Sequence, residues 1–251
     1  MMFLLLACAT DPTLPPTMPP EVIAPPPVEE PAPPPEPEPE PEPVIPEITI
    51  IDKPIPFSEA RKEMTRLYLA THWGEQHLTG DLEADITMVP RMVVLHWTAG
   101  PTAKGAFNTF SPERLPGRPE LQRAGALNVS AHFVVDRDGT IWRLMPEDRV
   151  GRHVIGLNHL AIGIENAGGN KGYPLTDAQV AANIDLVRYL TASWPTITHL
   201  IGHMEYQDME GHPYFQETDP TYRTIKPDPG ADFLARVRAE VVDLGLEGVP
   251  D

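Results

Sequence analysis

Two short apolar segments of the chain each lead into a histidine. Residues 92–95 are all apolar and precede His96, and residues 200–201 precede Gly202 and His203. An apolar run that ends at a polar residue is typical of a buried strand. Because functional side chains concentrate where strands give way to loops, we expect both histidines at one edge of a sheet. A third polar segment, Lys-Pro-Asp-Pro-Gly, follows at residues 226–230.

The rest of the pattern predicts strands that alternate with helices. A capping box of Thr176 and Gln179 opens one helix, and Asp138-Gly139 predicts a hairpin turn. Residues 99–118 are polar and are predicted to be a loop. The predicted helices occupy residues 57–73, 176–193 and 230–244, and the further strands residues 129–135, 140–144, 160–165 and 197–201. This alternation indicates an α/β fold, with a single domain whose central mixed β-sheet is flanked by helices.

A segment of low complexity precedes that domain. Residues 11–47 contain 17 of the 32 prolines and nine of the 36 acidic residues, with no Lys or Arg. Proline fixes the backbone and the neighbouring carboxylates repel one another, so the segment is predicted to be a disordered, extended Pro/Glu-rich tether. A solvated interdomain linker is the alternative. Both interpretations place the folded domain at residues 48–251.

Residues 1–10 are predicted to be a lipoprotein-type signal and anchor. The sequence Leu5-Leu6-Ala7-Cys8 resembles a bacterial lipobox, in which the cysteine is lipidated. The apolar segment is too short to span a bilayer and lacks basic residues, so a cleaved signal fragment or a truncated longer signal is the alternative. A lipidated Cys8 predicts a periplasmic protein on the outer membrane. Without the lipid, we expect a soluble secreted or periplasmic protein.

Charge and cysteine content exclude several classes of partner and site. The net charge is −17, and neither the tether nor the domain is basic, so we expect no nucleic-acid partner. Cys8 is the only cysteine, which excludes an intramolecular disulfide and a cysteine-ligated metal. Membrane contact is expected only through the lipid anchor, and we expect a monomer.

The polar strand ends could hold a catalytic metal. Two neutral imidazoles from His96 and His203 with the carboxylate of Asp228 make a three-ligand Zn²⁺ site with one open position. Glu165, at the end of a third apolar strand, is the candidate general base, and Lys226 is the candidate donor to a developing oxyanion. The alternative is that the histidines are core residues, Asp228 a turn former or helix cap, Glu165 an ordinary strand-end carboxylate and Lys226 a solvated lysine.

Five motifs in this order resemble one known family. They are residues 94–100, 129–141, 161–165, 201–203 and 226–230. The stretch from about residue 91 to 233 resembles the zinc-dependent N-acetylmuramoyl-L-alanine amidases of type 2, relatives of the peptidoglycan recognition proteins. This resemblance implies zinc ligands at His96, His203 and Asp228, a base at Glu165 and an oxyanion donor at Lys226. It implies hydrolysis of the amide between N-acetylmuramic acid and L-alanine in peptidoglycan or a muropeptide.

The resemblance also implies a substrate groove. His153 occupies the place of a groove-lining histidine in relatives, whereas His132 is expected in the core or behind the ligands. Two segments depart from the family pattern: residues 166–169, where a more apolar continuation is expected, and residues 211–223. Asn166 in the first, and Tyr222 and Arg223 at the end of the second, are predicted to bind substrate. The alternative function is a non-catalytic module that binds peptidoglycan or muropeptides.

Overall fold

The computed structural model describes residues 46–250. The predicted anchor at residues 1–10 and nearly all of the predicted tether lie outside these residues. The described part contains a six-stranded sheet. Its strands are β1 (Ile50–Asp52), β2 (Met92–Trp97), β3 (Phe133–Val135), β4 (Ile141–Arg143), β5 (Ala161–Asn166) and β6 (His199–Gly202).

The sheet is mixed, with the spatial order β1-β4-β3-β5-β2-β6. β3 and β4 form an antiparallel hairpin, and every other neighbouring pair is parallel. The hairpin turn has the predicted Asp-Gly sequence, with Gly139 at a φ of 88°. Six α-helices accompany the sheet in this part of the chain. They are α1 (Glu59–Leu69), α2 (Leu82–Asp85), α3 (Ala103–Phe110), α4 (Pro119–Gln122), α5 (Asp177–Ser193) and α6 (Ala231–Glu240). The predicted α/β fold with a mixed sheet and flanking helices is confirmed.

Side chains alternate along each strand and so pack into two cores, one on each side of the sheet. On β2, Val93 and Leu95 pack into the core that also contains the apolar faces of α5 and α6. Met92 and Val94 point the other way, into a second core with Tyr206. Since side chains alternate along a strand, His96 lies on the same side as Val94. The helices α5 and α6 therefore cover one side, and the other side is left for the functional site.

Helix α5 begins as the sequence predicts. The Thr176 hydroxyl accepts the backbone N–H of Gln179, and the Gln179 side chain accepts the backbone N–H of Thr176. The Gln179 amide also donates to the carbonyls of Val135 and Ala167, at 3.1 and 2.9 Å. This fully buried side chain ties the start of the helix to the ends of β3 and β5.

Several predicted boundaries were wrong. Residues 99–118 are not only loop, because α3 lies within them with Thr102 as its N-cap and buries Ala103, Ala106 and Phe110. Of the strand predicted at 129–135, only Phe133–Val135 pairs as a strand, since the backbone N–H of Ser130 donates to Arg152 instead. The last helix ends at Glu240 and is followed by a separate short turn of helix. Within the described residues, no helix is long and apolar enough to cross a membrane.

We expect Gln179→Ala to lower the free energy of unfolding by about 2 to 3 kcal/mol. The substitution leaves two buried carbonyl oxygens without their donor and removes half of the capping box. Asp185→Ala, at an exposed position of the same helix, is the matched control and should change stability by less than about 0.5 kcal/mol. Urea unfolding of the three proteins measures both values. Equal stability of Q179A and D185A would contradict this account of the helix start.

Candidate active site

Three parallel strands deliver polar residues to one edge of the sheet. His96 on β2 and Glu165 on β5 are direct partners in the parallel register. β6 pairs with the other side of β2, and His203 follows its last residue. The turn that contains Asp228 is held against this edge by a hydrogen bond from the backbone N–H of Met204 to the Asp228 carbonyl, at 2.7 Å.

Three side-chain atoms converge at this edge. Nδ1 of His96 lies 2.9 Å from Nδ1 of His203. Oδ2 of Asp228 lies 3.0 Å from the His203 nitrogen and 3.3 Å from the His96 nitrogen. All three residues are buried. Two imidazole nitrogens and one carboxylate oxygen therefore form a compact triangle shielded from bulk solvent.

The charge states favour a cation between these atoms. Burial and the neighbouring His96 lower the pKa of His203 to about 4, so its imidazole is neutral at pH 7. Burial alone would raise the pKa of Asp228, but the hydrogen bond from His203 and the adjacent His96 imidazole outweigh it and hold this pKa well below its ordinary value. Neutral imidazole and ionised carboxylate are the forms that bind a metal.

The donor set fits Zn²⁺. Tetrahedral zinc with ligand bonds near 2.0 to 2.2 Å separates neighbouring ligand atoms by about 3.3 Å, close to the observed sides of the triangle. Two histidines and one aspartate leave a fourth coordination position open, as in catalytic zinc sites.

Glu165 lies beside this triangle. Its Oε2 atom is buried and makes no hydrogen bond within residues 46–250. Burial, together with the charge of Asp228, raises the pKa of Glu165 to about 7, against the opposing effects of His96, Lys226 and Arg118. A carboxyl group with a pKa near neutrality can both accept and return a proton at physiological pH.

A cavity of about 380 Å³ opens over these residues. His96, His203, Asp228, Glu165 and Lys226 all contribute to its wall. The wall also contains aromatic, amide and cationic side chains from α1, the chain after β4 and the segment near α4. They include Tyr68, Arg118, Arg152, His153 and Asn158, and Tyr222 joins them from the chain between β6 and α6.

Comparison with known proteins identifies the family. The family model described as N-acetylmuramoyl-L-alanine amidase, type 2, matches residues 86–230. This match covers more than half of the chain and includes all five residues of the site. The chain belongs to this family. We refer to the described part of the chain as the amidase domain.

Individual relatives match shorter segments. The endolysin of Enterobacteria phage K11 is 33% identical over 84 residues, which are 32% of this chain and 56% of the endolysin. The endolysin of Klebsiella phage KP32 is 41% identical over 63 residues, 23% of this chain and 42% of that protein. The chain thus spans about half the length of the curated relatives it matches.

Solved structures resemble the chain more distantly. The N-acetylmuramoyl-L-alanine amidase LysC from Clostridium intestinale has a TM-score of 0.48 and 21% identity, covering 80% of this chain and all of that one. Human PGRP-IBETAC in complex with glycosamyl muramyl pentapeptide has a TM-score of 0.43 and 18% identity, covering 61% of this chain and 84% of that one. Because both TM-scores lie below 0.5, these structures add nothing to the family assignment.

The amidase domain brings some of the predicted substrate-binding residues to the cavity and not others. His153 and Tyr222 contribute to the wall, although Tyr222 is only 2% exposed. Arg223 is not part of the wall and pairs with Glu210, with its Nε atom 2.6 Å from a carboxylate oxygen. Asn166 is fully buried and also absent from the wall. The positions of Arg223 and Asn166 do not support the predicted contact with substrate.

Asn166 instead supports the site from behind. Its amide donates to the backbone carbonyl of His96 at 3.0 Å, and its carbonyl oxygen accepts the side-chain amide of Asn183 on α5 at 2.7 Å. Close packing explains a glycine in the segment that follows Asn166. Gly169 has a φ of 95°, and a Cβ there would lie 2.2 Å from the indole of Trp97. This close approach to the ring accounts for a glycine where the family pattern has a more apolar continuation.

The structural role of Arg152 beside the cavity was not predicted from the sequence. The buried guanidinium donates to the carbonyls of Gly125, Leu127 and Leu121 and to the Tyr222 hydroxyl. It thereby fixes the α4 segment, which forms one wall of the cavity. A single arginine in a sequence does not distinguish this role from a solvated one, and its only signal was its place immediately before His153.

We expect Glu165→Gln to change how the stability of the metal-free amidase domain depends on pH. The folded protein holds the Glu165 proton up to about pH 7, whereas the ordinary Glu pKa is 4.5. The folded state therefore binds more protons between these values, and stability falls as pH rises through this window, by up to about 1.4 kcal/mol per pH unit. The Gln variant lacks this loss. Its free energy of unfolding should therefore rise relative to that of wild type from pH 5 to pH 7.

Urea unfolding with a chelator at pH 5, 6, 7 and 8 measures this difference. Buried histidines such as His132 and His203 also titrate on unfolding, but they do so in both proteins. Subtracting the two pH profiles therefore isolates Glu165. Parallel profiles would show that the carboxyl has an ordinary pKa.

Proposed function

We propose that this protein is a zinc-dependent amidase that hydrolyses the bond between N-acetylmuramic acid and the L-alanine of peptidoglycan stem peptides. The observation that carries the proposal is the convergence of His96, His203 and Asp228 in one buried triangle, with the buried, unpaired Oε2 atom of Glu165 on the same cavity wall. Membership of the amidase family supplies the reaction and the substrate class.

Each side chain has a distinct role in this proposal. His96, His203 and Asp228 hold the ion, which when bound acts as a Lewis acid and lowers the pKa of water to about 7. Glu165 takes the proton from the attacking water and returns it to the leaving nitrogen of L-alanine, which its pKa near 7 permits at neutral pH. Lys226, on the same wall, stabilises the negative charge that develops on the carbonyl oxygen.

The cavity wall supports a substrate with both sugar and peptide parts. It combines aromatic rings such as Tyr68 and Tyr222 with polar groups such as Asn158 and Arg118. Of the residues predicted to bind substrate, we retain Tyr222, which reaches the wall. A non-catalytic module that binds muropeptides remains the second candidate. The complete set of candidate ligands, base and oxyanion donor favours the enzyme.

We further propose that the amidase domain is tethered to a membrane. The lipobox-like sequence at residues 5–8 ends in the only cysteine, and the Pro/Glu-rich residues 11–47 separate it from the domain at residues 48–251. As an extended polyproline-type chain, that segment would reach about 100 Å at most. A lipid on Cys8 would place the enzyme on the periplasmic side of an outer membrane, within reach of the wall.

The full-length protein should release new L-alanine amino termini from purified peptidoglycan, and chelator followed by zinc should abolish and then restore the release. Glu165→Gln removes the base and no ligand, so it should bind zinc normally and lose at least about 100-fold in turnover. His203→Ala should lose zinc and activity together. Amino-terminal analysis and metal content measure these outcomes.

Asp185→Ala, which is exposed on α5, is the control and should match wild type in both measurements. Wall binding by a zinc-loaded protein that releases nothing would favour the binding module. Near wild-type turnover by E165Q would remove Glu165 from the mechanism.

We expect Cys8 to carry a lipid in bacterial cells that process lipoproteins. Metabolic labelling with an alkyne fatty acid should mark wild-type protein and leave Cys8→Ser unlabelled, because a hydroxyl does not replace the thiol as the acceptor. Fractionation should move the variant from the membrane to the soluble fraction. An unlabelled wild type would reject the anchor and leave the proposed hydrolysis unaffected.

A further inference from the structure

A row of imidazoles extends from the candidate metal site into the protein. His96 presents Nδ1 to His203 and Asp228, and its other ring nitrogen, Nε2, lies 3.1 Å from Nδ1 of His153. The two rings are nearly perpendicular, at 88°, with their centroids 5.1 Å apart. The far nitrogen of His153, Nε2, lies 3.0 Å from the backbone carbonyl of Ala161.

The last contact fixes the direction of every hydrogen bond in the row. A carbonyl oxygen can only accept, so Nε2 of His153 carries a hydrogen and donates it to Ala161. In the neutral ring that hydrogen is the only one on nitrogen, so Nδ1 has a free lone pair. That lone pair requires a donor, and the facing atom is Nε2 of His96. A neutral His96 with its hydrogen on Nε2 then has its own lone pair on Nδ1, the atom aimed at Asp228 and His203.

Packing holds His153 in this orientation. Its backbone N–H donates to the Asn158 side chain at 2.9 Å. Its ring lies against Gly163 of β5, where a Cβ would approach the imidazole to 2.8 Å. A glycine within a buried strand marks a place where another group must come close. Here that group is the His153 ring, which any larger residue at position 163 would displace.

We propose that His153 is a positioning residue for the metal site, which holds His96 in the tautomer that presents Nδ1 to the ion. The inference rests on the proposed zinc site and deepens it. It also replaces the predicted contact of His153 with substrate. His153 lines the cavity, but both of its ring nitrogens are already engaged, one with His96 and one with Ala161. No polar atom of the ring is left for a substrate.

Zinc affinity of the full-length protein tests this role without an activity assay. His153→Leu removes the acceptor and should weaken zinc binding about 10- to 100-fold, as for other partners of metal-bound histidines. His153→Asn keeps an acceptor oxygen near the Nδ1 position and should stay within about threefold of wild type. Competition with a chromophoric chelator measures these affinities, and thermal unfolding of the metal-free proteins reports any general loss of stability.

His199→Leu is the matched control. His199 is also a buried histidine with hydrogen-bonding neighbours, but it lies at the start of β6, at the opposite end of that strand from His203. It should lose stability without losing zinc affinity. A similar loss of affinity in H199L and H153L would show that destabilisation alone explains the effect and would overturn the proposal.

The tautomer of His96 gives a second measurement that needs no variant. Long-range nitrogen–proton correlation spectra of metal-free wild type should show His96 and His153 both protonated on Nε2. A hydrogen on Nδ1 of His96 would overturn the proposal, even if H153L failed to fold. Wild type that binds no zinc would reject the proposed function, whereas equal zinc affinity in wild type and H153L would reject only the role of His153.

Discussion

The parallel pairing of β2 with β5 and β6 is the constraint on which the site depends. The register sets His96 opposite Glu165, and the end of β6 beside them sets the position of His203. Side chains alternate along a strand, so a slip of one residue would turn these groups toward α5 and α6. The apolar residues that alternate with the polar ones are therefore as necessary to the chemistry as the ligands, because their burial fixes the register.

Burial of so many polar groups is costly unless each one finds a partner. His132 meets that condition by accepting from the Gly163 backbone and donating to the Arg149 carbonyl. His153 meets it through Ala161 and His96. Within the described residues, the buried side-chain atoms without a hydrogen-bond partner include Oε2 of Glu165 and Nε2 of His203. Glu165 lines the cavity, where a ligand can supply the partner that the fold does not.

The sequence was sufficient for the elements whose signals are local. Apolar runs gave the central strands, the capping box gave the start of α5, and Asp-Gly gave the hairpin. It also contained an unused signal, since Glu165 and Asn166 are neighbours on one strand and cannot both face the cavity. The roles of Arg152 and of the contact between His153 and the Ala161 carbonyl could not be predicted from the sequence. Their roles depend on carbonyls at positions 121, 125, 127 and 161, and a carbonyl has no signature in a sequence.

The end of β2 is held from both of its sides. On the cavity side, His153 engages the His96 ring, and on the helix side Asn166 engages the His96 carbonyl. Asn166 is in turn bonded to Asn183 on α5, whose start is tied by Gln179 to the ends of two strands. A chain of buried amides thus connects the first turns of α5 with the backbone of a candidate metal ligand. Helix α5 therefore both stabilises the fold and holds the backbone of His96 in position at the cavity.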